Sequence, residues 1–565
     1  MTATTVADSF LALHGGQNSY GDPILLSAEN YAKGINITVR GGLAKTRPGF
    51  VAETVVGMPT GTFQGAHRWS LEDGDRLVFV VSGTVYVLAV DTNALTTIGA
   101  MFPSDTTQCW FCQADRYMVI QDGVSTPAVL DNDEYDAPQL CEEPQGIPIG
   151  TAMYFVFQRL HVAANDPGRQ YFKSGDVLIP TDPPSCLLFQ ELDYWATGGA
   201  HCLPMELGYV HGMIAFRNAS TGTGVGSLLV FARNGVVAYD LSIPRIEWPE
   251  ANTSQVLFYS SGSVSPWSFA SVNDDVLYRS TDGLRSVRYT KAAVGSESGM
   301  LANTPMSLRA NEWFVDEPRE YLPFVSSASW NNYALVTVGG HDTRYFNGIV
   351  AMDAAATHAL VGSSVPIFAG VWTGYAFAQI LTAFRSGKLE CFVFTEGPEL
   401  LTISEDAVTD SSTVDIKSRL VTRSYNFGEA AYLKKLQYLD LWVSNVYRDS
   451  TITVYFKPTG YPKWNILGSR SVQKLASYPG YRRKLRFSME QPQSFCDTTT
   501  GGLLDTGTEF QFAIDVEGNA TLERCVVVGE RYTEQPPDPC DTTIAETTLV
   551  GMDLSDWDYD VSEGL

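Results

Sequence analysis

The sequence predicts a mostly β chain: a β-propeller of six to eight blades, then a β-sandwich platform, then an acidic tail. Aromatics make up 12% of the 565 residues, with 49 glycines and 28 prolines, a mix that favours short strands and tight turns over long helices. One apolar strand–turn–strand pattern recurs seven times at intervals of about 40 to 60 residues, the scale of a propeller blade. Beyond residue 406 that pattern is replaced by segments alternating in the manner of half-buried strands.

Taken in order, residues 1–60 read as an N-terminal arm and lead-in strand, with turns at Gly41-Gly42 and Pro48-Gly49. Residues 61–405 hold the repeats. The clearest is 75–91, where Ser82-Gly83 separates two runs rich in β-branched residues and 96–98 adds a third strand. The same shape returns at 116–124, at 153–164, at 213–216 with 228–239, at 275–287, at 333–338 with 349–352, and at 380–384 with 389–394. Helices should be few, and the nearest approach to helical periodicity is the stretch 351–360.

Residues 406–533 are expected to form the sandwich, with strands at 414–425, 435–443, 450–456, 483–487, 509–514 and 522–528. Residues 534–565 read as a flexible acidic tail, although Leu554, Trp557 and Tyr559 interleaved among aspartates also suit docking onto a neighbouring subunit.

Length beyond one hydrophobic core implies at least two folded units. The net charge of −25 argues against a phosphate-gripping surface. It fits a wall along which a polyanion slides. Nine scattered cysteines suggest reduced thiols, and Cys109-Trp-Phe-Cys112 lacks the companion ligands of a zinc site. The first residues show no basic segment followed by an apolar core, so cytoplasmic synthesis is expected. The uncharged run 365–384 is interrupted by Pro366, Gly370, Gly374 and Gln379, and reads as two buried strands with a turn, not a membrane span.

Propellers often carry glycosidases with paired carboxylates, for which Asp274, Asp275, Asp282, Glu317 and Glu320 could serve, with Arg279, Arg285 or Arg319 for a sugar acid. Nothing in their spacing selects any of them. Ser280-Thr-Asp-Gly283 lacks the aromatic closure of a sialidase box and reads as a hairpin turn. His67, His161, His201, His211 and His341 are dispersed, each read as structural. No catalytic residue, cofactor or metal is assigned, and a non-enzymatic role is expected. Candidate assembly contacts are Arg40, Arg47 and Phe50 in the arm, Trp557 and Tyr559 in the tail, and Arg482 and Arg483. The last two belong to the densest basic run, with Lys484 and Arg486. As a strand it places alternate charges on one face, for solvent, a subunit contact or an acidic partner.

Residues 30–50, with "GGL" at 41–43 running into "RPG" at 47–49, resemble the opening segment of the tail nozzle, or tail tubular, proteins of short-tailed bacteriophages. Residues 422–429, with Lys434-Lys435 and a strand ending Leu441-Trp442 after them, are similar to the segment on the C-terminal side of the propeller in that family, and 153–176 resembles one of its strand pairs. The resemblance implies a virion protein of the phage tail. It would form a homohexameric ring that meets portal, adaptor and tail fibre or spike proteins, and that conducts and gates genome DNA without binding it specifically. A receptor- or glycan-binding propeller elsewhere on the virion and a glycoside hydrolase remain the alternatives.

Overall fold

The computed structural model describes residues 4–104, 108–131, 139–140, 146–164, 170–189, 199–216, 226–248, 250, 253–259, 261–294, 304–315, 317–340, 344–354, 366–411, 413–474, 481–489 and 504–531. Seven antiparallel blades succeed one another in chain order, the last two bridged at Phe346 and Phe377. Blade 1 is Phe63–Leu71, Gly74–Val81, Thr84–Ala89 and Ala94–Ala100, and blade 2 is Trp110–Ala114, Tyr117–Gln121, Ala128–Asp131 and Gln139–Leu140. Blade 3 is Gly150–Val156, Arg159–Ala164, Tyr171–Ser174 and Ala200–Cys202, and blade 4 is Val210–Phe216, Ser227–Ala232, Gly235–Tyr239 and Ser254–Tyr259. Blade 5 has, among the described residues, three strands, Phe269–Val272, Asp275–Ser280 and Gly283–Ser286; blade 6 is Ser327–Trp330, Tyr333–Gly340, Phe346–Asp353 and Ile367–Trp372. Blade 7 is Phe377–Arg385, Lys388–Thr395 and Leu400–Ser404, completed from the N-terminal side by Gly49–Ala52. Each of the seven repeats falls in a different blade, and the fold is a seven-bladed β-propeller.

Local chemistry explains the hairpins. Two-residue turns with both φ angles positive match the right-handed twist of the flanking strands. They occur at Ser82-Gly83, Asn273-Asp274, Asn331-Asn332 and Ser386-Gly387, and also at Phe157-Gln158, where neither residue favours that region. Of the stretch 351–360, Ala351–Asp353 ends the strand Phe346–Asp353 and residues 355–360 lie outside the described residues; the α-helix among the described residues is Val287–Val294, beside blade 5. The run 365–384 contributes Ile367–Trp372 and Phe377–Arg385, with the turn at Gly374 between them. No described helix is long and apolar enough to cross a membrane.

The first strand of each blade lines the hub, and small residues there let neighbours approach; a Cβ on Gly212 would enter the Phe269 ring of the next blade. Glutamines stitch the blades together. Gln379 Oε1 accepts from Ala66 N–H at 2.8 Å and its Nε2 donates to Ala66 O at 2.9 Å, joining blade 7 to blade 1. Gln113 makes the same reciprocal pair with Ser70 between blades 2 and 1, and Gln121 accepts from Gly150 N–H between blades 2 and 3.

The second unit is a β-sandwich. One sheet runs in the order Asn465–Val472, Ser450–Pro458, Phe510–Glu517, Lys417–Thr422, Asn30–Ile35. The other runs Arg483–Ser488, Lys434–Ser444, Thr521–Arg531, with Thr4–Phe10 and Ala44–Thr46 both on the far side of Thr521–Arg531. The expectation of a separate N-terminal arm over 1–60 is thereby corrected: these residues supply strands to the sandwich and the closing strand of blade 7. Asn30–Ile35 also bridges in parallel to Ile367–Trp372 of blade 6 at Ile35 and Val371. One continuous hydrophobic core runs from blades 5–7 into the sandwich, including Leu335, Ile349, Phe368, Tyr31, Leu441 and Phe512.

Candidate functional site

Two chain segments cross between propeller and sandwich, and Arg47 and Asp410 lock them together. The Arg47 fork donates to both Asp410 oxygens (2.9 and 2.7 Å), to Asn36 Oδ1 (2.9 Å), and to the carbonyls of Pro48 (2.8 Å) and Thr373 (2.7 Å), so all five N–H donors are used. Asp410 Oδ1 also accepts from Phe50 N–H, and Arg47 lies over the Phe50 ring at 4.2 Å. Arg47 and Phe50 are fully buried, which corrects their expected role as contacts outside the subunit's own core. Burial, not display, is why a guanidinium stands here: its planar fork can meet four segments at once. Arg40 is partly exposed, bound through Nε to Asp353 (2.9 Å) and stacked on Tyr333 at 4.0 Å, so it too serves the sandwich–blade 6 joint.

Arg482 and Arg483 stand at the outer edge of the sandwich. Arg482, Lys484 and Arg486 point to one face of their strand, beside Tyr438, Asp440 and Trp442 of the neighbouring strand and Arg524 of the next. Arg486 Nε and Lys484 Nζ both reach Asp440 at 2.7 Å, and Arg482 reaches Glu523 at 2.6 Å. Arg486 caps Tyr438 at 3.9 Å, while Lys484 and Arg524 flank Trp442 at 5.1 and 4.9 Å. Burial alone would raise the Asp440 carboxyl, but the hydrogen bonds from Arg486 and Lys484 outweigh it and hold the group below its ordinary range. Half of this cation–aromatic face was legible in the basic run; the period-two Tyr438-x-Asp440-x-Trp442 was the overlooked signal for the other half. Trp557 and Tyr559 lie outside the described residues.

Residues of blades 2, 3 and 4, with Val264, Pro266 and Pro323 from the segments before blades 5 and 6, line an open pocket of about 240 Å³. Among the described residues, Trp110, Gln170, Tyr171, Tyr209 and His211 give it an aromatic and amide lining. Burial pushes the His211 imidazole below its usual value, which keeps it neutral. Such a pocket can stack and hydrogen-bond a small polar group.

Of the carboxylates considered for glycoside hydrolysis, Asp274 and Glu320 are exposed, and the other three make structural contacts. Glu317 is buried against Arg279 at 2.5 Å. Asp282 closes the 280–283 turn with Ser280 and Arg285; its burial raises the carboxyl, and the Arg285 and Ser280 hydrogen bonds more than reverse that. Asp275 accepts from Ser286 Oγ and from the N–H groups of Val276 and Arg288. Cys109 and Cys112, three apart near and on an extended strand, belong to different core clusters, and burial drives the Cys112 thiol up to about 12. His161 and His201 flank Phe172 in the blade 3 core, and burial lowers them to about 3 and about 4. Among the described residues no three His, Cys, Asp or Glu side chains gather as a metal site. His341 lies outside the described residues.

No family model matches the sequence, and no curated protein matches it. Among solved structures, the chain is similar to the β-propeller domain of Myceliophteria thermophila Cps50 (Swd1), at 10% identity and a TM-score of 0.36, over 63% of this chain and 99% of that one. It is also similar to YCF48 bound to D1 peptide, at 12% identity and a TM-score of 0.35, over 64% and 99% of the two chains. Scores this low carry no functional argument, and the blade count rests on the strand pairing.

Proposed function

We propose that this chain is a structural subunit of a short-tailed phage's tail nozzle, one of six in a ring below portal and adaptor through which the genome leaves. The observation that carries the reading is where the two principal resembling segments fall. Residues 30–50 build the sandwich strand Asn30–Ile35, the Arg47 lock and the closing strand Gly49–Ala52, and residues 422–442 build the sandwich core beside them. The resemblance therefore lies on the joint between the two units. A wall that must bear the load of packed DNA needs that joint to be stiff, and a buried, fully hydrogen-bonded fork inside a shared core supplies stiffness. A net charge of −25 favours passage of a polyanion over capture.

The test is the mass of the purified protein by light scattering with negative-stain imaging, alone and with portal–adaptor complexes. A ring with a central hole, formed alone or on the adaptor, is the expected result; a monomer that ignores the adaptor overturns the reading. A second reading, a glycan-binding propeller on the virion, draws on the aromatic and amide lining of the pocket, since sugars stack on Trp and Tyr faces and bond to amides. Binding to a glycan panel that Tyr209→Ala abolishes would favour it.

A further inference from the structure

The cation–aromatic face of the sandwich is an exception in a chain whose net charge is −25. Around Trp442 it carries Arg482, Lys484, Arg486 and Arg524 against the carboxylates of Asp440 and Glu523, a surplus of two positive charges among the described residues. Asp440 is buried and draws in Lys484 and Arg486, whereas the Arg482 side chain is 73% exposed and Arg524 is exposed as well. These two arginines stand towards solvent beside a partly buried Trp442, the combination of arginine and aromatic ring that protein interfaces favour.

The complement lies on blade 1. Asp73, Asp75 and Asp91 are among the residues that line an open groove of about 300 Å³ there. Asp91 faces the turn that carries Glu72 and Asp73: a Cβ on Gly74 would stand 3.1 Å from Asp91 Oδ2. Glu72, Asp73 and Asp91 are exposed. The described groove and its turn thus hold four carboxylates and two cations, Arg68 and Arg76, which pair with Asp75 and Asp73 at 2.6 Å; the surplus is two negative charges. The adjoining hairpin of blade 7 is balanced, with Arg385 and Lys388 against Glu53 and Glu390. Ser386 N–H donates to Asp91 Oδ1 at 2.6 Å and fixes that carboxylate, while Ala89 and Ala94 give the groove apolar walls against which the stem of a long side chain can lie.

We propose that these two surfaces are the two sides of one contact between copies of this chain: the exposed arginines of one sandwich, Arg482 foremost, enter the blade 1 groove of the next copy and meet Glu72, Asp73 and Asp91. The surpluses are equal in size and opposite in sign. The contact therefore steers the approach of two copies and rejects the face-to-face and groove-to-groove pairings, which would set like charges together. A pair joined in this heterologous way still presents one cation face and one groove, so the contact continues from copy to copy, into a ring where the rotation closes. The inference rests on the ring reading for its choice of a second copy as the neighbour.

Sedimentation equilibrium on the full chain tests it through charge reversal. R482E/R524E leaves the Lys484 and Arg486 bonds to Asp440 in place, and E72K/D73K alters only exposed side chains. Each variant should weaken self-association about tenfold or more. An equimolar mixture of the two should regain it, because each reversed surface then meets its opposite. Salt at about 0.5 M, which screens charges beyond a few ångströms, should weaken the wild-type association and that of the mixture alike. Near-UV circular dichroism checks that each variant is folded. R482Q/R524Q, which puts no new charge beside Glu523, replaces the reversal if that unfolds, and its association should fall as well. Unchanged association in either variant, or a mixture that stays dissociated, overturns this contact while leaving the ring reading standing. A wild-type chain that stays monomeric alone at its highest soluble concentration also overturns the contact, and the ring reading is then decided on the adaptor complexes.

Discussion

Replacing Arg47 by methionine removes five hydrogen bonds at one stroke while keeping most of the side-chain volume. Left behind is the Asp410 carboxylate, 8% exposed and still accepting from Phe50 N–H, together with Thr373 O and Asn36 Oδ1, each losing one donor. Breaking one side of a buried ion pair costs about 3–5 kcal/mol because the stranded charge cannot be resolvated. Arg47→Lys keeps the charge but not the planar fork, and should lose about half as much, since hydrogen bonds to charged groups contribute about 1.5–3 kcal/mol each. The double variant R47M/D410L removes both charges and should cost clearly less than the sum of the single changes. Urea unfolding should be monitored by near-UV circular dichroism and by limited proteolysis within residues 405–417, because a two-unit chain need not unfold in one step. A loss under about 1 kcal/mol for R47M, or strict additivity in the double variant, would refute the argument that this fork holds the joint.

The same structure predicts three further outcomes. His161 and His201 are held neutral by burial, with pKa values lowered to about 3 and about 4, so the unfolded chain takes up protons first. Their contribution is intact above about pH 6.5 and is lost as pH falls towards those values, by about 2 kcal/mol per histidine at pH 5. His201→Phe should flatten the stability slope between pH 7 and 5 by about 1 kcal/mol per unit, and an unchanged slope would rule this out. Gln379→Leu leaves Ala66 N–H and C=O without their partner across the closure of blades 7 and 1; about 1–3 kcal/mol should be lost, with faster exchange in Phe63–Leu71. Among the described cysteines Cys202 is exposed while Cys109, Cys112, Cys186, Cys391 and Cys525 are buried, so brief alkylation of the native protein should modify Cys202 before any of those five. Early labelling of Cys112 would contradict its packing.

The hairpin grammar was legible because it is local. Alternation of apolar residues and turns such as Ser82-Gly83 depend on neighbours a few positions away, so each of the seven repeats could be found, along with six strands of the sandwich. Asn465–Val472 escaped because much of it is exposed polar edge with little apolar alternation. Val287–Val294 escaped because eight residues are too few for a periodic signal. The basic alternation of Arg482, Lys484 and Arg486 was visible for the same local reason.

Partnership over long separations was not legible. Arg47 in a Pro-Gly turn context resembles a surface cation, and only the fold brings it to Asp410, 363 positions away, and to Thr373. The N-terminal strands likewise look like a free arm until Gly49–Ala52 is seen closing blade 7 and Thr4–Phe10 is seen paired with Thr521–Arg531. Periodicity thus determined which segments are strands and which face of each is apolar. Which strands meet, and which charges are buried where they meet, was decided by ring closure and by the core shared between the two units. Those contacts join residues hundreds of positions apart, and no local pattern encodes them.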